Sequence, residues 1–143
     1  MDREGALQLV EAVTDGWAAD PDGDVVWSGD HEGRRGVRMR QTVRDFTTVW
    51  FDTGERTVRV EAFVLPVPPH VQSEVFRQAL VRNSGTRRVH FALDRHGDLV
   101  VTGRIPLGEL AGTELELTLG EVYDLVEVSF RPMLRALRRE KTD

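Results

Sequence analysis

The sequence predicts an α+β fold in which an antiparallel sheet packs against helices, and three observations carry that prediction. Apolar residues recur at helical spacing in three separated segments. Between them hydrophobicity alternates with period two in two blocks, one of three strands and one of two. Turn chemistry divides each block at intervals short enough for neighbouring strands to pair antiparallel. The expected order is α-β-β-β-α-β-β-α, in a single domain covering residues 1–143. At 40% hydrophobic and 30% charged residues, a chain of this length buries about two-thirds of the surface its unfolded form exposes.

The first helix is read from Asp2 to Trp17, where Ala6, Leu9, Val10, Val13 and Trp17 share one face, with Asp2 as N-cap and Gly16 near the stop. Asp20-Pro21-Asp22-Gly23-Asp24 breaks the period, and Val25-Val26-Trp27 reads as an irregular, partly buried segment. Three strands follow. Val37, Met39 and Val43 alternate with Arg38, Arg40 and Arg44; Phe46 to Phe51 form the second run; and Thr57 to Val64 form the third, with Val58, Val60, Ala62 and Val64 on one face. Asp52-Thr53-Gly54-Glu55 supplies a hairpin turn in which glycine can take positive φ.

Pro66, Pro68 and Pro69 stop the third strand and open a helix with Val71, Val75, Ala79 and Leu80 as its apolar stripe, ended by left-handed residues in Asn83-Ser84-Gly85. Val89, Phe91 and Leu93 then alternate outward, Asp94 to Asp98 turn the chain, and Leu99, Val101, Gly103 and Ile105 alternate back. After Pro106 a single turn covers Leu107 to Leu110. A long helix begins at Thr113, with Leu115, Leu119, Val122, Leu125, Val126, Ser129, Met133 and Leu137 in register. Pro132 inside it predicts a kink or a split near Ser129.

Composition excludes several function classes. The chain has no cysteine, hence no disulfide, thiol catalysis or thiolate-held metal. Nineteen basic residues, all arginine except Lys141, stand against 24 acidic ones for a formal charge of −5. Nucleic acid is therefore disfavoured as a partner, because phosphate neutralisation needs a local excess of cations. No window approaches the about 18 consecutive apolar residues of a membrane span, and Met1-Asp2-Arg3-Glu4 leads into no apolar segment. The expected location is the cytoplasm, without membrane attachment.

The candidate chemistries are weak. Asp20, Asp22 and Asp24 alternate like calcium ligands, but Gly23 falls at loop position four instead of six, and position twelve is His31, which cannot replace a bidentate carboxylate. His31, His70, His90 and His96 lie in four separate elements, and the four serines have no nucleophile elbow. Asp94 with Asp98 and Glu114 with Glu116 flank turns or helix starts, where carboxylates solubilise and cap. No catalytic residue, metal or cofactor is expected.

Arg34, Arg35, Arg38, Arg40 and Arg44 form the one dense basic patch, and alternation puts Arg38, Arg40 and Arg44 on one face if no bulge intervenes. Such a patch is either a solvated sheet face or a recognition surface for an anionic segment, for which guanidinium forks give geometric selectivity. Phe46 and Trp50 share one face of their strand while Val49 and Phe51 share the other, so this strand needs cover on both sides. A helix supplies one layer, which leaves a peptide groove or a self-association surface to supply the second. The expected contact residues are Arg38, Arg40, Phe46, Trp50 and Phe51. The expected partners are a protein or peptide client and a second copy in a homodimer.

From Ser73 to Leu137 the chain carries Glu74-Val75, Leu80-Val81-Arg82-Asn83, Phe91-Ala92-Leu93-Asp94 with Gly97-Asp98-Leu99, Gly103-Arg104-Ile105-Pro106-Leu107, and Leu119-Gly120 through Phe130-Arg131-Pro132-Met133-Leu134. In these residues it resembles the YbjN family, described as sensory-transduction regulators and grouped with type III secretion chaperone-like proteins. The resemblance implies a type III secretion chaperone-like α+β fold with a curved antiparallel sheet on helices, and no catalytic residue to carry over. The function expected is non-enzymatic peptide or protein binding, chaperone-like or regulatory. The alternative is a self-associating regulatory scaffold without a client groove.

Overall fold

The computed structural model describes residues 1–142, with side chains through Arg139. Its elements are α1 (Arg3–Ala19), β1 (Val25–His31), β2 (Arg34–Arg40), β3 (Phe46–Thr53), β4 (Thr57–Pro66), α2 (Gln72–Asn83), β5 (His90–Leu93), β6 (Asp98–Pro106) and α3 (Gly112–Thr142), with single 3₁₀ turns at Pro69–Val71 and Leu107–Glu109. The six strands form one antiparallel sheet in the order β1-β2-β3-β4-β6-β5. The fold is α+β as expected, with one strand more than the periodicity predicts.

That additional strand is β1. A bulge between Val25 and Trp27 leaves Val26 without a cross-strand partner, so Val25 faces the same way as Met39 and Trp27 the same way as Arg38. The bulge reverses the alternation within three residues, and for that reason the segment reads as irregular in sequence. Glu32 (φ 52°) and Gly33 (φ 79°) then close the β1–β2 hairpin with the two consecutive positive φ values of a type I′ turn. In the β5–β6 hairpin Gly97 (φ 82°) does this work, while Asp94 Oδ1 accepts from the backbone N–H of His96 and Asp98. Gly54 needs no such freedom: its N–H donates to the Thr57 carbonyl at 2.9 Å with φ negative.

One face of the sheet is buried. Val37, Met39, Val49, Phe51, Val60, Ala62 and Val101 pack there against Ala6 and Val10 of α1, Val75 of α2, and Leu115, Val122 and Val126 of α3. Asp2 caps α1 through its carboxylate, which accepts from the Gly5 N–H at 2.8 Å, and Gly16 lies inside that helix instead of ending it. Leu80 is 69% exposed, so the α2 stripe is Val71, Val75 and Ala79. Nor does a left-handed residue end α2. Ser84 is right-handed (φ −65°), and Asn83 turns its amide to β5 instead, donating to the Phe91 carbonyl at 3.1 Å and accepting from the Phe91 N–H at 2.6 Å. The long helix is not split: α3 runs through Pro132 without interruption, held by Met133 and Ala136 beyond it in the core.

Glu121 ties α3 to the loop between α2 and β5. Its Oε1 accepts from the backbone N–H groups of Arg87 (2.8 Å), Arg88 (2.8 Å) and Val89 (3.0 Å). Burial pushes this carboxyl's pKa up, but the N–H donors of Val89, Arg87 and Arg88 and the charge of Arg88 outweigh it, and the net shift is downward. Glu121→Ala leaves three N–H groups without their acceptor and is expected to cost about 1–3 kcal/mol, read as a lower urea midpoint at pH 7. Because the folded pKa lies below the unfolded one, the gap between wild type and variant is full above the ordinary glutamate range. It narrows as pH falls through the folded pKa.

Candidate functional site on the open sheet face

All three helices lie on the buried side, so the opposite face of the sheet is uncovered. The register places Trp27, Gly29 and His31 of β1 on it, with Arg34, Gly36, Arg38 and Arg40 of β2, Phe46, Thr48 and Trp50 of β3, and Glu61 and Phe63 of β4. Trp27 (38%), Phe46 (45%) and Phe63 (49%) are exposed there. Three large aromatics with a third or more of their surface in water on one face form a patch, not scattered surface hydrophobes.

The centre of this face is a glycine floor. Gly29 pairs with Gly36, which in turn pairs with Trp50. A Cβ at Gly36 would fall 2.6 Å from a Trp50 ring carbon and 3.0 Å from one of Trp27, and a Cβ at Gly29 would fall 2.6 Å from Trp27. The two indoles therefore lie down on the backbone where side chains are missing, and their rims meet over Gly36. Arginines bracket the plate: the Arg34 guanidinium sits 4.6 Å from the Trp50 ring centre, and that of Arg38 sits 5.8 Å from the rings of both Trp27 and Phe46. His31 completes one side at 5.8 Å from Trp50. Beside the plate Phe46, Thr48, Trp50, Glu61, Phe63 and Val100, together with the charged Arg34, Arg44 and Asp94, line a hollow of about 300 Å³.

The arginines differ in their occupation. Among the described residues, Arg34, Arg38 and Arg40 have no carboxylate within ion-pair distance, whereas Arg35 pairs with Asp15 and Asp30, and Arg59 with Glu61. Arg35 points to the helix side and also donates to Thr14 Oγ1 at 3.0 Å. Arg44 is not in register with Arg38 and Arg40, because β2 ends at Arg40 and the chain turns, but it lines the hollow of the open face beside Phe46 and Phe63. Its guanidinium donates to the carbonyls of Phe63 and Val64 at 2.8 Å and stacks 5.1 Å from the Phe130 ring centre on α3, and burial lowers its pKa. Phe51 is also elsewhere: it is 1% exposed, with its ring 6.2 Å from that of Trp17 under α1. Strand alternation that puts Trp50 outward puts Phe51 inward, so Phe51 is core and not available for contact. Arg38, Arg40, Phe46 and Trp50 do share the open face.

Sequence reasoning missed Trp27, Gly29, Gly36 and Phe63. The signal was a tryptophan two residues before a glycine, with a second glycine able to pair across the hairpin. It was hidden by the bulge at Val26.

The architecture defines a small α+β protein with a sheet covered on one side and an aromatic, arginine-bearing surface on the other. The family model described as "YbjN: Putative bacterial sensory transduction regulator" matches residues 14–135, and the chain belongs to that family. An uncharacterized protein of Mycobacterium leprae is 30% identical over 131 residues, covering 92% of this chain and 67% of that protein. An uncharacterized protein of Mycobacterium tuberculosis is 36% identical over 81 residues, covering 57% of this chain and 44% of that protein; the chain thus spans less than half the length of that relative. Among solved structures, YbjN from E. coli superposes with a TM-score of 0.59 at 10% identity, covering 87% of each chain, which shows a shared fold. A chain of the heterodimeric complex ExoU-SpcU from the type III secretion system of Pseudomonas aeruginosa aligns with a TM-score of 0.46 at 17% identity, covering 68% of this chain and 88% of that one.

The inward and outward rings of β3 separate stability from surface chemistry. Phe51→Ala empties a core site and is expected to cost about 3–5 kcal/mol. Trp50→Ala removes a ring lying on the surface and is expected to cost about 1 kcal/mol. Urea unfolding of the two variants beside the wild type checks the difference.

Proposed function

We propose that this chain is a non-enzymatic protein-binding module, chaperone-like or regulatory in role, that holds an extended segment of a client protein against its open sheet face. One observation carries the reading: the two indoles, the Phe46 and Phe63 rings and the unpaired guanidinia of Arg34, Arg38 and Arg40 all lie on the one face that no helix covers. Large rings held flat supply apolar burial at low entropic cost, and guanidinia without partners supply selectivity. Tryptophan and arginine are the residue types that dominate binding hot spots. Glu61 on the same face and the net charge of −5 weigh against a nucleic-acid strand as the occupant.

A second reading, self-association as a regulatory scaffold, is favoured by a different surface. Phe76 and Leu80 of α2 and Leu93 of β5 line an apolar hollow of about 210 Å³, with Leu80 69% and Leu93 48% exposed. A homodimer formed there leaves the open face free, so the two readings are compatible.

Affinity capture from native lysate, with bound proteins identified by mass spectrometry, tests the first reading. A client should be retained by the wild type and by Leu80→Asp but lost, by at least about thirtyfold in affinity, from a Trp27→Ala/Trp50→Ala variant that still unfolds cooperatively. Equal retention by that double variant refutes it. Sedimentation over a dilution series tests the second: Leu80→Asp should abolish a dimer that the tryptophan variant keeps.

A further inference from the structure

The spacing of charges around the aromatic plate sets a rule for what can lie on it. Arg34 and Arg38 leave β2 four residues apart, a backbone spacing of about 13 Å at about 3.3 Å per residue, and each lays its guanidinium over a ring of the plate. Between them, at the midpoint Gly36, β2 offers no side chain, only the meeting rims of Trp27 and Trp50. Along β2 this face therefore reads cation, glycine under the indole rims, cation, and Arg40 adds a further cation one step beyond Arg38.

The arginines are preorganised for a ligand from outside. Stacking on Trp50, Trp27 and Phe46 restrains the guanidinium planes of Arg34 and Arg38. It leaves their N–H groups uncommitted, because among the described residues no carboxylate or carbonyl accepts from them. Two forked donors from strand positions four residues apart, with the indole rims midway, favour a complementary strand. An extended segment lying along β2 turns every second side chain to the sheet, so residues i, i+2 and i+4 meet the face together.

We infer that the client segment is an extended stretch with the pattern acid-x-apolar-x-acid. One carboxylate is held by Arg34, the next by Arg38, and the apolar side chain between them rests on the indole plate over Gly36. This rests on the reading of the open face as the client surface. It goes beyond that reading by fixing charge, conformation and spacing.

The probe is a nine-residue peptide with glutamates four positions apart, a leucine midway and serine elsewhere, titrated into the full chain by calorimetry at low salt. Two controls have the same length: one with a glutamate moved by a single position, one with both glutamates replaced by glutamine. The spaced peptide should bind at least about tenfold tighter than either control, since a one-residue shift turns a carboxylate away from the sheet. Arg34→Gln and Arg38→Gln, whose side chains are not part of the core, should each abolish that advantage while the variants still unfold cooperatively in urea. The indole N–H signals of Trp27 and Trp50 should shift in the NMR spectrum on binding, and those of Trp17 should not. Equal binding of spaced and shifted peptides overturns the spacing rule. If both still move the two indole signals, the client-face reading survives; if no peptide moves them, both fall. Displacement of the spaced peptide by an equal concentration of oligothymidylate would also overturn the proposal, replacing a protein segment with a nucleic acid.

Discussion

The strands turn most of their aliphatic side chains, Val100 excepted, towards one helical layer, and burial of that face is the constraint on which the rest depends. Val37, Met39, Val49, Val60, Ala62 and Val101 meet α1, α2 and α3 in one continuous core. Among the described residues all three helices lie on that one side of the six-stranded sheet. The sheet is therefore two-sided in character: aliphatic where the helices sit, aromatic and cationic where they do not. Contacts that tie loops to the helical layer, such as Glu121 beneath Arg87 to Val89 and Glu127 on Gln41 and Thr42, all form on the covered side.

The open face solves its own packing problem without a second layer. An exposed strand pair with glycines at facing positions is poorly held, since glycine adds flexibility and has nothing to pack. Trp27 and Trp50 fold over Gly29 and Gly36 and cover that backbone, and the arginines then cap the rings. Half-exposed rings so arranged protect the sheet and remain accessible to a partner. In the proposed function stability and recognition draw on the same side chains, whereas Phe51 serves the fold alone.

Much of this was legible from residue spacing. Helices betray themselves by a long apolar stripe, and α1 and α3 were readable because Ala6 to Trp17 and Leu115 to Leu137 keep period over several turns. Strands β2, β3 and β5 alternate along their length, and β4 and β6 over enough of theirs to be readable despite the register shift between Phe63 and Leu65. β1 was not, because one bulged residue reverses its phase and a two-residue turn at Glu32-Gly33 follows acidic loop chemistry. The site was half legible for a related reason. Phe46, Trp50, Arg38 and Arg40 follow from alternation within single strands, but Trp27 and the glycine floor exist only through pairing between strands. Arg44 leaves the register of Arg38 and Arg40 because its strand ends four residues earlier than the hydrophobic pattern suggests, whereas Phe51 lies on the face that alternation gives it, which is the covered one and holds no contact surface.

The side chain of Asn83 has a bearing on assembly. By occupying both polar groups of Phe91 on the outer margin of β5, it mimics a neighbouring strand at that residue and blocks the middle of a four-residue border to further pairing. Open-ended stacking of sheets border to border requires two unsealed borders per molecule, one to receive and one to offer. With the β5 side blocked, β1 is the border left for such pairing, and two molecules joined β1 to β1 would exhaust it. A fibre built by sheet extension is thereby denied a way to propagate, whatever the open face may hold.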